Sequence, residues 1–241
     1  MKAVVLAAGY ATRLYPLTLD RPKPLLEIGG RPILDHLLER LAPIGLDRIF
    51  VVTNAKFAPQ FRAWAAGRPQ VAVIDDGTTS EDDRLGAIGN LRLVVDRERL
   101  DEDLLVAAGD SVFTENLAGF ADFAREKGGA AVAVHDVGSL EAIRRYGAIG
   151  VDEDDRIVTF EEKPQEPRST LAGIALYVFP RPTVPLIARY LDDGNNPDQP
   201  GRFVEWLYTR APVYAWHVPG RWLDIGSPET LAAAERELAQ S

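Results

Sequence analysis

The sequence predicts an α/β fold, a single three-layer α/β/α domain around a mostly parallel, mixed twisted sheet. Three observations carry that expectation. Short β-branched or apolar runs alternate with stretches of helical period through the first half, the pattern of parallel strands joined by crossover helices. From about residue 147, strand-like runs follow one another with polar turns between them, which predicts a mixed or antiparallel extension. No repeat, low-complexity tract or Gly/Ser-rich linker divides the 241 residues.

Taken in order, Lys2 to Ala7 is an apolar run of strand length, and Arg48 to Thr53, Val71 to Ile74, Leu104 to Ala107 and Ala130 to Asp136 repeat the pattern. Between them, Pro32 to Leu41 sets Ile33, Leu37, Leu38 and Leu41 at helical spacing, with Pro32 suited to the first turn. Phe57 to Ala66, Gly86 to Val95 and Leu117 to Lys127 are the next expected helices. Gly147 to Val151, Arg156 to Glu161 and Leu171 to Phe179 read as strands, the first two joined by the turn Asp152-Glu153-Asp154-Asp155. Helices are expected at Pro182 to Leu191 and Arg202 to Arg210, then a strand at Val213 to Val218. Ser227-Pro228-Glu229 caps a last helix to about Leu238.

Composition removes several kinds of chemistry. With no Cys there is no disulfide frame, thiol nucleophile or cysteine zinc site, and His36, His135 and His217 are too scattered for a histidine metal centre. Catalysis is left to carboxylates, Lys, Arg and backbone. No apolar run approaches the 18 residues or so of a membrane span. The run Ala3 to Ala8 is too short for a signal sequence, so a soluble cytoplasmic protein is expected. A net charge of −9 argues against nucleic acid as a partner, although a local basic cleft could hold an anionic ligand. Of 27 basic residues only five are Lys, and Lys23 and Lys163 both precede proline, in Pro22-Lys23-Pro24 and Glu161-Glu162-Lys163-Pro164.

The first strand runs into Leu6-Ala7-Ala8-Gly9-Tyr10-Ala11-Thr12-Arg13-Leu14. Small residues after a buried strand let backbone N–H groups approach a phosphate, Arg13 can grip a second phosphate with its fork of donors, and Lys23 adds a compact charge suited to an α-phosphate during transfer. The plainer alternative is a tight strand-to-helix turn with solvated cations. Leu104 to Gly109 delivers Asp110 at the carboxyl edge of a strand, where ligands of open α/β sheets bind; an Asx turn or helix cap would also place an acid there. Asp224, in Arg221-Trp222-Leu223-Asp224-Ile225-Gly226, is equally a ligand or a turn acid by itself. Glu161-Glu162-Lys163 reads alone as a solvated strand end, and Leu85-Gly86 as a helix start.

Together these segments resemble the sugar-1-phosphate nucleotidyltransferases, the family of glucose-1-phosphate thymidylyl- and uridylyltransferases and mannose-1-phosphate guanylyltransferases. The match covers the loop signature with its Arg13 and Pro-Lys23, the Gly-Asp110 pair, Tyr146-Gly147, Glu162-Lys163-Pro164 and Trp-x-Asp224-Ile-Gly, over nearly the whole chain. The resemblance implies a short form without a β-helix tail, with a nucleotide-binding part at about 1–135 and a sugar-phosphate-binding part at about 136–241. It implies transfer of NMP from an NTP to a sugar 1-phosphate, giving an NDP-sugar and pyrophosphate. Arg13 and Lys23 would be catalytic, and Leu6, Ala8, Gly9, Tyr10, Ala11, Thr12, Leu85 and Gly86 would bind the nucleotide. Gly147, Glu162 and Lys163 would bind the sugar phosphate, and Asp110 and Asp224 would hold Mg²⁺.

Departures fall where specificity should reside. Ala11 replaces the second Gly of the loop, Asp75 to Asp83 replaces a Gln-Pro segment common in relatives that read thymine or uracil, and Thr170-Leu171-Ala172-Gly173-Ile174-Ala175 replaces Asn-Ala-Gly. The acceptor could therefore be a cyclitol, heptose or amino-sugar phosphate in place of a glucose phosphate. A non-catalytic binding homologue would be expected to lose Arg13, Lys23, Asp110, Lys163 and Asp224, all of which are present. A dinucleotide-dependent oxidoreductase would end its second strand in an acid, where this chain has Asn54. Base, acceptor and oligomeric state are left open.

Overall fold

The structure, a computed structural model, describes residues 1–238. In chain order the elements are β1 (Lys2–Leu6), β2 (Glu27–Ile28), β3 (Arg31–Pro32), α1 (Ile33–Leu41), β4 (Arg48–Thr53), α2 (Ala58–Ala65), β5 (Val71–Asp75), α3 (Ala87–Glu98), β6 (Leu104–Ala108) and β7 (Ser111–Phe113). They continue with α4 (Gly119–Lys127), β8 (Ala130–Asp136), β9 (Gly147–Val151), β10 (Ile157–Glu162), β11 (Leu171–Phe179), α5 (Val184–Asp192), α6 (Pro200–Leu207), β12 (Val213–His217), β13 (Trp222–Asp224) and α7 (Pro228–Leu238). Every expected strand and helix is present; β4, β8, β9 and β11 have the expected ends and the others differ by a few residues. Helix α6 starts at Pro200 rather than Arg202 because a proline costs no hydrogen bond in a first turn.

The chain forms two compact units with interleaved segments: Met1–Leu85, Ala107–Ala118 and the stretch from Pro219 make unit 1, and Gly86–Val106 with Gly119–Val218 make unit 2. In unit 1, β1, β4 and β5 are parallel, with Val4 opposite Phe50 and Val51 opposite Val73. Ala3, Val4, Val5, Val51 and Val52 are fully buried, which is why these strands read as continuous apolar runs. Two pairings were not expected. Strands β2 and β3 form a hairpin whose turn, Gly29-Gly30, has φ of 59° and 75°, a conformation that glycine adopts without steric cost. Strands β7 and β13 pair antiparallel, with Val112 opposite Leu223 and Ser111 opposite Asp224. Val112 and Ile225 join Leu14, Leu26, Ile28, Ile33 and Ala234 in one apolar cluster, so the loop after β1, the hairpin and α7 share a core.

Unit 2 is the mixed part. Strand β11 pairs antiparallel with both β8 and β9, β10 pairs antiparallel with β9, and β12 runs parallel to β8. Phe203 of α6 meets Phe179 of β11 and Tyr190 of α5 edge-on at 5.3 and 5.4 Å, geometries favoured by ring quadrupoles. The α/β class expected from the sequence is thus observed.

Candidate functional site

In unit 1, β1 ends at Leu6 and the chain turns through Ala8, Gly9, Tyr10, Ala11 and Thr12 into a 3-10 turn at Thr12–Leu14. Gly9, Thr12 and Arg13 are exposed, Leu6, Ala8 and Ala11 are partly buried, and Tyr10 is buried. A side chain at Gly9 would meet nothing within 4 Å. Ala11 keeps the left-handed conformation (φ 49°, ψ 45°) that its glycine counterpart would favour. For an L-residue this costs about 1–2 kcal/mol. The Ala11 methyl packs against the Leu14–Ile28 cluster, a contact of about 0.8 kcal/mol that a glycine could not make. The loop is also tied from behind: the Thr18 hydroxyl donates to the Ala11 carbonyl at 2.8 Å and Asn54 Nδ2 donates to the Ala8 carbonyl at 2.9 Å.

Lys23 opens a 3-10 turn held by Leu25 N–H to Pro22 O and Leu26 N–H to Lys23 O. Its Nζ donates to Asp110 Oδ2 at 2.6 Å; the Lys23 side chain is 11% exposed and that of Asp110 38%. Gly109 packs closely beside this pair: a Cβ there would lie 3.2 Å from Val5 Cγ1 and 3.3 Å from both the Leu6 carbonyl and Pro24 Cγ, so a side chain would require its neighbours to give by a few tenths of an ångström. Asp110 immediately precedes β7, and Asp224 ends β13 opposite Ser111. The two aspartates, 114 positions apart in the chain, thus flank one short antiparallel pair. Two carboxylates are what Mg²⁺ uses when phosphates and water complete its octahedron, and the more open member of the Lys23–Asp110 pair is the carboxylate. Among the described residues, no group of three or more Asp, Glu, His or Cys that could hold a metal is found.

The acidic run Asp75 to Asp83 is largely occupied with its own loop. Asp76 accepts from Thr78 N–H and its hydroxyl, and Asp83 accepts from the amides and hydroxyls of Thr79 and Ser80. The Thr79 and Ser80 amides hold the Asp83 carboxyl down to about 2. Tyr10 lies near this loop, and burial raises its hydroxyl pKa. Leu85, also in unit 1, is exposed.

Unit 2 contains Gly86, Gly147, Glu162 and Lys163. Glu162 ends β10 opposite Gly147 on β9. Its side chain is only 9% exposed, with Lys163 Nζ 3.9 Å from Oε1. Burial pushes the carboxyl up, and the charges of Lys163 and Arg202 act in the opposite sense. Two glycines make its place: a Cβ on Gly147 would lie 3.2 Å from Glu162 Oε2, and one on Gly201, in the first turn of α6, only 1.9 Å from it. Lys163 adopts φ 52°, strain of a kind that clusters at functional sites, and its N–H donates to Tyr146 O at 3.0 Å. A Cβ on Gly173 would meet Ile149 Cδ1 at 3.0 Å, Phe160 at 3.5 Å and the Gly147 carbonyl at 3.7 Å. Gly86 (φ 78°) is pressed against the backbone of Pro197 and Asp198, and Ile88 N–H donates to Pro197 O at 2.8 Å.

Sequence reasoning missed Thr18, Asn54 and Gly201. Asn54 carried a local signal, an Asn just before a helix, but its bond to Ala8 spans 46 positions.

A family model described as "Nucleotidyl transferase" matches residues 2–241. A UTP–glucose-1-phosphate uridylyltransferase of Synechocystis sp. is 30% identical over 237 residues, covering 94% of this chain and 60% of that protein. The UTP–glucose-1-phosphate uridylyltransferase AglF of Haloferax volcanii is 31% identical, covering 100% and 97%. A mannose-1-phosphate guanylyltransferase of Mycobacterium tuberculosis is 30% identical, covering 99% and 64%. The chain therefore spans under two thirds of the Synechocystis and Mycobacterium proteins. A Bacillus anthracis crystal structure assigned as a glucose-1-phosphate thymidylyltransferase shares the fold, with a TM-score of 0.84 over 98% of this chain and 94% of that one at 22% identity.

Proposed function

Because the chain belongs to the nucleotidyl transferase family, we propose that it transfers a nucleoside monophosphate from an NTP to a sugar 1-phosphate, releasing pyrophosphate and giving an NDP-sugar. The observation that carries the reading is the cluster in unit 1, where Lys23 Nζ lies 2.6 Å from Asp110 and β7–β13 pairing brings in Asp224. A sugar phosphate is already an anionic nucleophile, so the reaction needs no general base. It needs in-line positioning and neutralisation of two repelling anions. That demand suits a chain whose candidate residues are cations, carboxylates and loop amides.

In this reading the amides of Gly9 to Thr12 hold the triphosphate, Arg13 grips it as a fork, and Lys23 sits on the α-phosphate as negative charge develops there. Asp110 and Asp224 would hold Mg²⁺, which when bound neutralises phosphate charge and polarises the P–O bonds. Leu85 and Gly86 would contact base and ribose. On the acceptor side, Lys163 would bind the sugar phosphate, while Glu162 and the Gly147 backbone would take sugar hydroxyls. Uridylyl and guanylyl transfer are both represented among the relatives, and the Asp75 to Asp83 loop lacks the Gln-Pro segment. Asn-Ala-Gly is replaced here by Leu171-Ala172-Gly173, which removes a side-chain amide and leaves room for an acceptor other than glucose 1-phosphate. A matrix of the common NTPs against hexose, amino-sugar, heptose and cyclitol phosphates, with Mg²⁺ and scored by pyrophosphate, tests the proposal. Release from one or a few pairs supports it; NTP binding without release from any pair points to a binding protein.

A further inference from the structure

The loop after β1 is presented to solvent, yet two of its carbonyls are fixed by side chains that are not. Asn54 is 0% and Thr18 1% exposed. Asn54 uses both ends of its amide: Nδ2 donates to Ala8 O at 2.9 Å and Oδ1 accepts from Phe57 N–H at 3.1 Å, at the start of α2. Thr18 Oγ1 donates to Ala11 O at 2.8 Å, alongside Leu14 N–H at 2.9 Å.

A trans peptide is planar, and its C=O and N–H point in opposite directions. Holding Ala8 O from inside therefore turns Gly9 N–H outward, and holding Ala11 O turns Thr12 N–H outward. The space beside Gly9 on the exposed face is open. The Ala11 end needs such restraint most, because a non-glycine residue at φ 49° relaxes toward negative φ when nothing opposes it.

We propose that Asn54 and Thr18 are positioning residues that aim the Gly9 and Thr12 amides at the phosphates of the nucleotide. The inference rests on the reading of this loop as a triphosphate site. Neither side chain touches the phosphate; each acts through the peptide plane it holds.

The test uses inorganic triphosphate with Mg²⁺, titrated calorimetrically into the full chain. Thr18→Val removes the hydroxyl and keeps the shape, and Thr18→Ser keeps the hydroxyl. Thr18→Val should weaken triphosphate binding about tenfold, the worth of one well-aimed bond to a charged group, and Thr18→Ser should restore it. Asn54→Asp keeps an acceptor for Phe57 N–H but sets a carboxylate against Ala8 O, and should weaken binding at least as much. Melting curves identify any variant that is unfolded at the titration temperature; should Asn54→Asp be so, the Thr18 pair carries the test. With an active substrate pair, KM for the NTP should rise for Thr18→Val while KM for the acceptor stays put. Equal triphosphate affinity for Thr18→Val and Thr18→Ser, whether high or low, overturns the proposal. Failure of the unsubstituted protein to bind triphosphate overturns the reading of the loop itself.

Discussion

Replacing Lys23 by Met separates what the ammonium does for folding from the role proposed for it in nucleotidyl transfer. Methionine keeps an unbranched apolar stem in a position that is 9% exposed and removes the ammonium, with its charge and its N–H donors. The stability cost is limited because the partner, Asp110, is 38% exposed and water can replace the lost donor. About 1 kcal/mol is expected for a part-exposed pair of this kind. In a chain of this size that lowers Tm by about 2–4 °C. The effect on rate is larger. Removing one donor aimed at charge developing in a transition state costs about 10²–10³ in kcat, or about 2.7–4 kcal/mol. Lys23→Arg should not restore the rate, because a planar guanidinium is wider and places its charge differently. Pyrophosphate release at saturating substrates, with thermal melts in parallel, measures both quantities. Turnover within about threefold of the unsubstituted protein would refute the role given to Lys23, since that corresponds to under 1 kcal/mol of barrier. A loss of Tm large enough that unfolded protein accounts for the missing activity would instead refute the limited stability cost.

Gly201→Ala would put a Cβ 1.9 Å from Glu162 Oε2 and force the carboxylate aside, so KM for the acceptor should rise about tenfold at unchanged KM for the NTP, read from initial rates. For Glu162, burial raises the folded-state pKa, so the folded protein binds more protons than the unfolded chain and stability falls as pH rises from the ordinary carboxylate value through the folded one. Gln does not titrate, so Glu162→Gln should gain Tm relative to the unsubstituted protein on going from about pH 4 to about pH 7; a constant difference would contradict the burial argument. Ala11→Gly relieves about 1–2 kcal/mol of left-handed strain but loses a methyl contact of about 0.8 kcal/mol and loosens the unfolded chain. Urea denaturation should show a net change under about 1 kcal/mol, and a loss beyond about 2 kcal/mol would mean the methyl matters more than the strain.

The regular elements were legible because their burial follows the two backbone periods: β1 and β4 are buried runs, and α1 buries Ile33, Leu34, Leu37 and Leu41. The β2–β3 hairpin had a signal that went unused, Gly29-Gly30 between short extended pairs. Strands β7 and β13 had none. Three residues show no period, and each is a strand only because the other lies beside it, more than 100 positions away. At the candidate site, Lys23, Asp110 and Asp224 could be named from motifs, but the direct Lys23–Asp110 bond could not. The same holds for Glu162: its motif marks a carboxylate, and only the fold sets it between Gly147 and Gly201, where its pKa rises.

The interleaving of the two units also fixes an order in time. Residues 1–118 emerge from the ribosome carrying the β1 loop, Lys23 and Asp110, but β7 has no partner until β13 has been made. The intervening stretch of about 100 residues takes on the order of 5–20 s to synthesise. During that interval unit 1 holds Asp110 without Asp224, and the cluster containing Leu14, Leu26 and Ile28 lacks Ile225 and Ala234. Until the stretch from Pro219 has been made, the chain therefore carries this apolar cluster without two of its buried members.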